Sequence, residues 1–323
     1  MAKLMSKKTR ETVQTSVVLA VVILFLVFYI IYPLVKISDV TGRADSERFE
    51  DAEEEIVYTN DISFFEEKGL LPDTFTVTST DNIILASICF KPDSTIFDTA
   101  RGTVILLHAD NADRTSLGPY ISPLLESGFN TVVYDQRTSG QSGGIYRYAG
   151  KYEAEDLAET IIKLNFMGNL VHPLIAVGFE TGADAAIFAA QAEERIDCVI
   201  AVKPSLTSSR WIDNACDKGD MLCIPLSIIV YHWWYEKVTS YPYDRTGVDD
   251  ILAPDTKTVI LADEKFLADE EITRLREITE PEKLQTIAIT DNPELIQAAV
   301  LKSILEAASI NANIALESHP EIE

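Results

Sequence analysis

The sequence predicts an α/β domain, a mostly parallel sheet with helices on both faces and a short aromatic cap, carried behind one N-terminal transmembrane helix. Three observations predict it. Eight runs rich in β-branched and aliphatic residues alternate with helical stretches between Thr74 and Ala308, and most are apolar throughout, as strands buried on both faces are. The 24 residues from Thr12 to Val35 contain no charge. The composition, 323 residues with 47% hydrophobic, 9% aromatic, 14 Gly and 13 Pro, excludes collagenous and broadly disordered chains.

The elements follow in order. Val17 to Val35 is almost wholly Val, Leu, Ile, Phe, Tyr and Ala, and about 20 residues at ~1.5 Å each cross a ~30 Å hydrocarbon layer. The run is longer than the ~7 to 15 residues of a signal-peptide core and ends in Pro33, Leu34, Val35 and Lys36 rather than a small-residue cleavage site, so it reads as an uncleaved anchor. Residues 1–36 form the basic end and anchor, and 37–70 an acidic linker with one short helix near Ile62 to Lys68. Residues 71–310 form the α/β domain. A hairpin joins Thr74–Thr78 to Ile83–Phe90 around Asp81-Asn82. Then come the strand Val104–His108, a helix Pro119–Ser127, the strand Thr131–Asp135 and a helix Glu153–Asn165. The strand Leu174–Gly178, a helix Gly182–Ala192 and the strand Cys198–Val202 precede an insertion over about 204–254. The pattern resumes with the strand Thr258–Ala262, a helix Glu270–Ile278, the strand Leu284–Ile289 and a helix Pro293–Ala308; 311–323 is read as a loose tail.

Several segments then line up. The strand V-I-L-L-H ends at His108. Asp135-Gln136-Arg137-Thr138-Ser139-Gly140-Gln141-Ser142 follows the next strand, and Val177-Gly178-Phe179-Glu180-Thr181-Gly182 forms a strand-to-helix turn. In this order and at these separations the chain resembles the α/β-hydrolase superfamily over about Asp73 to Ala308, with the D-x-R-G-x-G-x-S loop and the G-x-S-x-G nucleophile elbow as the matching motifs. The resemblance places the oxyanion loop at His108, Ala109, Asp110 and Thr181. Gly178 and Gly182 become the elbow glycines, flanking a strained turn that lifts its central side chain above the sheet.

That central residue is Glu180 where esterases, lipases and peptidases of the family have Ser. It cannot be an activated hydroxyl, and at the start of a helix it is expected to accept backbone amides or to fill the space of a substrate oxyanion. A carboxylate, Asp263, follows the strand Thr258–Ala262, but the family's acid position falls nearer Lys265 or Phe266. Its histidine position reads Thr290-Asp291-Asn292-Pro293, with no His. Of the four histidines, His172 precedes a strand, His319 lies in the tail, and His232, in the insertion, is the one stray base. Asp110 would set a carboxylate where a developing oxyanion needs donors. A nucleophilic Glu180 would form an ester that needs a His-activated water.

These departures predict a catalytically inactive pseudohydrolase, with no cofactor and no metal. Two other readings stay open: an active hydrolase of ester or amide bonds using unconventional residues at Glu180, and a cation site of Asp110, Glu180, Asp263 and Asp291 with oxygen ligands suited to Ca²⁺ or Mg²⁺. The insertion holds Trp211, Trp233 and Trp234 with Tyr231, Tyr235, Tyr241 and Tyr243, read as a packed cap and alternatively as a docking face for a ligand or protein partner. Cys216 and Cys223 close a short loop there and are candidates for a disulfide in an oxidising compartment, whereas Cys89 and Cys198 lie in apolar strands and read as buried thiols.

Charge sets location and partners. Lys3, Lys7, Lys8 and Arg10 precede the span, and Asp45, Glu47, Glu50, Asp51, Glu53, Glu54 and Glu55 follow it, which keeps the N-terminus cytoplasmic and the domain outside, single-pass in the cell membrane. The net charge of −24, with no basic stripe, argues against nucleic acid as a partner. Beyond residue 36 there are 22 Lys and Arg against 50 Asp and Glu, so the domain should be soluble and repelled by anionic headgroups.

Overall fold

The computed structural model describes residues 7–35, 61–110, 112–211, 225–239 and 256–318. Helix α1 (Lys7–Leu26) continues through a π-helical turn, Val27–Ile31, and the helical stretch Glu11–Val35 is long and apolar enough to cross a membrane. Its apolar side chains are almost all exposed, as those of a lipid-facing helix would be. The short helix α2 (Asp61–Glu66) then leads into the domain.

The eight expected strands form one sheet: β1 (Asp73–Thr78), β2 (Ile84–Phe90), β3 (Thr103–Leu107), β4 (Asn130–Tyr134), β5 (Leu174–Phe179), β6 (Cys198–Val202), β7 (Lys257–Ala262) and β8 (Leu284–Ala288). Their spatial order is β1-β2-β4-β3-β5-β6-β7-β8; β2 runs antiparallel to both its neighbours and every other pairing is parallel. Because side chains alternate along a strand, Ile105 and Leu107 of β3 join one buried cluster and Val104 and Leu106 the other. Helices α4 (Lys151–Phe166), α5 (Thr181–Ala189) and α8 (Glu270–Ile278) cover the first face with Leu157, Ala186 and Leu275. The second is covered by α2, α3 (Gly118–Glu126) and α9 (Pro293–Ser318), through Phe65, Ile121 and Ile304.

Three elements go beyond the sequence-based outline. A 3₁₀ turn, Arg114–Leu117, precedes α3, a one-turn helix α7 (Glu264–Leu267) follows β7, and α9 continues to Ser318, past the expected end at Ala308, because Ser309 to Ser318 contains neither Gly nor Pro. Within the insertion the described parts are Pro204–Trp211 and helix α6 (Pro225–Thr239). The acidic linker up to residue 60, Cys216, Cys223, Tyr241, Tyr243 and His319 lie outside the described residues.

Candidate functional site

The register of the sheet creates the site. Leu107, the last residue of β3, pairs with Gly178 of β5, so the loop after β3 and the turn after β5 emerge side by side at the carboxyl edge, where ligands of open α/β sheets sit. A single residue, Glu180, separates β5 from α5. Its N–H still bonds the carbonyl of Val202 on β6 at 2.9 Å, and its own carbonyl already accepts the first helical bond from Ala183 at 2.9 Å. To serve both, its backbone adopts φ 50°, ψ −117°, a conformation that favours glycine and strains other residues by roughly 1–3 kcal/mol. The flanking glycines are required by contact. A Cβ on Gly178 would fall 2.0 Å from the carbonyl oxygen of Gly182, and one on Gly182 would fall 2.7 Å from that of His108.

The Glu180 carboxylate is half-buried and makes no capping bond to α5. This corrects the expectation that it accepts amides at the helix start: a capping side chain reaches back from an extended backbone, and the positive φ of Glu180 is not one. Asp110 is a carboxylate bonded at this helix start. It accepts the hydroxyl of Thr181 at 2.5 Å and the indole N–H of Trp211 at 3.1 Å, and it faces the Arg147 guanidinium at 3.6 Å. A small cleft lined by Asp110, Thr181, Arg147 and Glu153 measures about 10 Å³, room for about one water.

His108 is spent within the same loop. Its Nε2 accepts the Gln136 N–H at 2.9 Å and its Nδ1 lies 2.8 Å from the Ala109 carbonyl. A backbone N–H can only donate and a carbonyl only accept, so the proton sits on Nδ1. The Gln136 side chain closes the loop by donating to the His108 carbonyl at 2.6 Å. Burial lowers the imidazole to about 4, which keeps it neutral.

The other residues singled out in the sequence have partners of their own. Asp263 caps α7 by accepting the Phe266 N–H at 2.9 Å. Asp291, exposed in the turn after β8, pairs with Lys203 at the end of β6, and Asn292 caps α9 through the N–H groups of Glu294 and Leu295. His172 bonds Asp197 at 2.6 Å and His232 bonds Glu236 at 3.1 Å. Among the described residues no three His, Cys, Asp or Glu side chains converge to hold a metal ion. The expected cation site of Asp110, Glu180, Asp263 and Asp291 is thereby corrected: Asp110, Asp263 and Asp291 are each drawn to partners of their own. Cys89 and Cys198 are buried free thiols, as their strands implied, and burial raises both to about 12.

Solved structures settle the architecture. The esterase Pf2001 of Pyrococcus furiosus superposes with a TM-score of 0.57 at 19% identity, over 76% of this chain and 92% of that one. The α/β hydrolase GrgF from Penicillium sp. sh18 superposes at 0.53 and 17%, over 74% and 98%. Est1E from Butyrivibrio proteoclasticus, solved with ferulic acid, superposes at 0.53 and 14%, over 72% and 99%. The fold is that of the α/β hydrolases. No protein-family model matches the sequence, and no curated protein is found similar to it.

Within this α/β-hydrolase fold the Asp135 loop is internal framework. The Asp135 carboxylate accepts the N–H groups of Arg114 at 2.8 Å and Gln141 at 2.9 Å and faces the Arg114 guanidinium at 3.5 Å. A Cβ on Gly140 would fall 2.2 Å from that carboxylate. The buried Arg137 forks onto Asp156, with Nε at 2.8 Å and Nη2 at 2.7 Å, and reaches Asp81 at 3.1 Å, while Tyr148 and Tyr152 present their rings. Three residues at the site escaped the sequence reading: Arg147, Trp211 as a partner of Asp110, and Asp184. Asp184 is buried in α5 and accepts the N–H groups of Ser205 at 3.1 Å and Leu206 at 2.7 Å, fastening the chain after β6 onto the helix behind the elbow; burial raises it to about 8. A signal existed, since it is the single charge in the run Thr181–Ala189.

Proposed function

We propose that this chain is a membrane-anchored pseudohydrolase, an α/β-hydrolase fold that binds rather than cleaves, with its domain outside the cytoplasm. The observation that carries the reading is the position of Asp110. Hydrolysis of an ester or amide builds negative charge on an oxygen beside the elbow, and catalysis requires preorganised donors there. This chain puts a carboxylate at the helix start, uses the Thr181 hydroxyl on it, and neutralises it with Arg147. Glu180 at the elbow adds a second acid, and the turn after β8 supplies Asp291 and Asn292 where a general base would act. The anchored topology rests on the helix Glu11–Val35 and on the basic residues before it and acidic residues after it.

The test is fluorophosphonate labelling and turnover of a panel of acyl esters by the full chain in detergent. Neither is expected from the wild type, nor from Glu180→Ser, because a serine without a general base keeps little reactivity. Ester hydrolysis by the wild type that disappears in Glu180→Gln would overturn the reading. Protease added to intact cells, or to spheroplasts where an outer membrane is present, should digest the chain beyond about residue 40.

A further inference from the structure

The insertion helix α6 divides its aromatic residues between two faces. Tyr231 and Tyr235, one turn apart, are buried, and the Tyr235 hydroxyl donates to the Tyr148 carbonyl at 3.2 Å. Trp234 stands edge-on to Tyr146, 6.0 Å between ring centroids. The other face leaves Ile229 63% and Trp233 56% exposed, again one turn apart, and Ile145, next to Tyr146, is 70% exposed. Burial against the domain accounts for the first face only.

The neighbour of α6 points to a cover for the second. Helix α6 packs against the π-helical turn Val27–Ile31 of the membrane helix. In the stretch Glu11–Val35 the middle residue is Ile23, so this turn lies about 9 Å beyond the midplane at ~1.5 Å per residue. A hydrocarbon layer of ~30 Å extends about 15 Å from its midplane. A helix ~10 Å across seated beside Val27–Ile31 spans about 4–14 Å from the midplane, so its outer side reaches the boundary of acyl chains and headgroups. Trp concentrates at that boundary.

We propose that α6 rests in the outer surface of the membrane, with Ile229 and Trp233 immersed in neutral, zwitterionic lipid beside the span. The inference deepens the proposed function and rests on its reading of Glu11–Val35 as a transmembrane anchor. Neutral lipid is specified by charge, since 22 basic against 50 acidic residues beyond residue 36 oppose an anionic surface.

The test reconstitutes the full chain in phosphatidylcholine bilayers and compares tryptophan emission with that in bilayers of chain-brominated phosphatidylcholine. The brominated lipid should quench the wild type, and Trp233→Phe, a change at an exposed position, should lose at least half of that quenching. Phe28→Trp, placed in the span, should add a strongly quenched component. Equal quenching of wild type and Trp233→Phe, with the Phe28→Trp component quenched, overturns the lipid contact of α6 and leaves the anchor standing. An unquenched Phe28→Trp component overturns both.

Discussion

Replacing Glu180 by glycine and, separately, by alanine measures the strain at the elbow. Both changes delete the carboxylate and its contacts, so the difference between the two variants reports only what a Cβ costs at φ 50°, ψ −117°. A residue with a Cβ in such a sparsely populated region is destabilised by roughly 1–3 kcal/mol. The extra freedom of glycine in the unfolded chain offsets about 0.4–1 kcal/mol of this. The expected balance is about 1 kcal/mol in favour of Glu180→Gly. For a domain of this size that is a Tm higher by about 2–4 °C than that of Glu180→Ala. The assay is thermal unfolding of the full chain in one detergent, followed by far-UV circular dichroism, with the same pair of substitutions made at Arg274, an exposed position inside α8. There the order must reverse, alanine exceeding glycine by about 1 kcal/mol. If alanine equals or exceeds glycine at position 180 too, the elbow is unstrained and the reasoning from its backbone fails.

Gly182→Ala should lower stability by at least about 2 kcal/mol in the same melts, because its Cβ would press on the His108 carbonyl oxygen at 2.7 Å and the Leu107 Cβ at 2.8 Å; an unchanged Tm would mean that α5 is not seated on β3. Arg137→Ala strands the buried Asp156 carboxylate and should cost about 3–5 kcal/mol in urea unfolding, with Arg137→Lys recovering only part, since an ammonium cannot fork onto Asp156 while reaching Asp81. Asp184 gives a pH signature: with its folded value raised to about 8 and an unfolded aspartate near ~4, the folded state holds a proton that the unfolded chain releases between these values. Its contribution is therefore full below about pH 4 and lost as the pH rises toward 8. The unfolding free energy of the wild type minus that of Asp184→Asn should fall from pH 5 to pH 8, and a flat difference refutes the assignment.

The fold was legible because its signals are local. Each apolar run that reads as a strand is one, and β6 and α8 begin and end at the residues expected, since turn residues or charges bound them. Glycines at 178 and 182 located the elbow for the same reason: a backbone constraint leaves its mark at fixed spacing. What surrounds the elbow was only partly legible. The sequence singles out Asp110, yet its partners come from α5, from the loop before α4 and from the insertion, at separations of 71, 37 and 101 residues. No periodicity connects them. The reach of Glu180 failed for a finer reason, because the direction of a capping side chain depends on ψ and φ at that residue, which residue type does not encode.

The geometry of the elbow and the chemistry of its central residue have separate causes. Gly178 and Gly182 meet each other and the end of β3 at distances that no side chain could share, so they seat α5 on the sheet whatever residue stands between them. Glu180 itself completes the bonding of β5 to β6 and opens the helix through main-chain atoms alone. These main-chain bonds are indifferent to whether position 180 carries a hydroxyl or a carboxylate. An elbow of this form testifies to how β3, β5 and α5 pack, and the question of chemistry passes to the groups around it, where Asp110, Thr181 and Arg147 already satisfy one another.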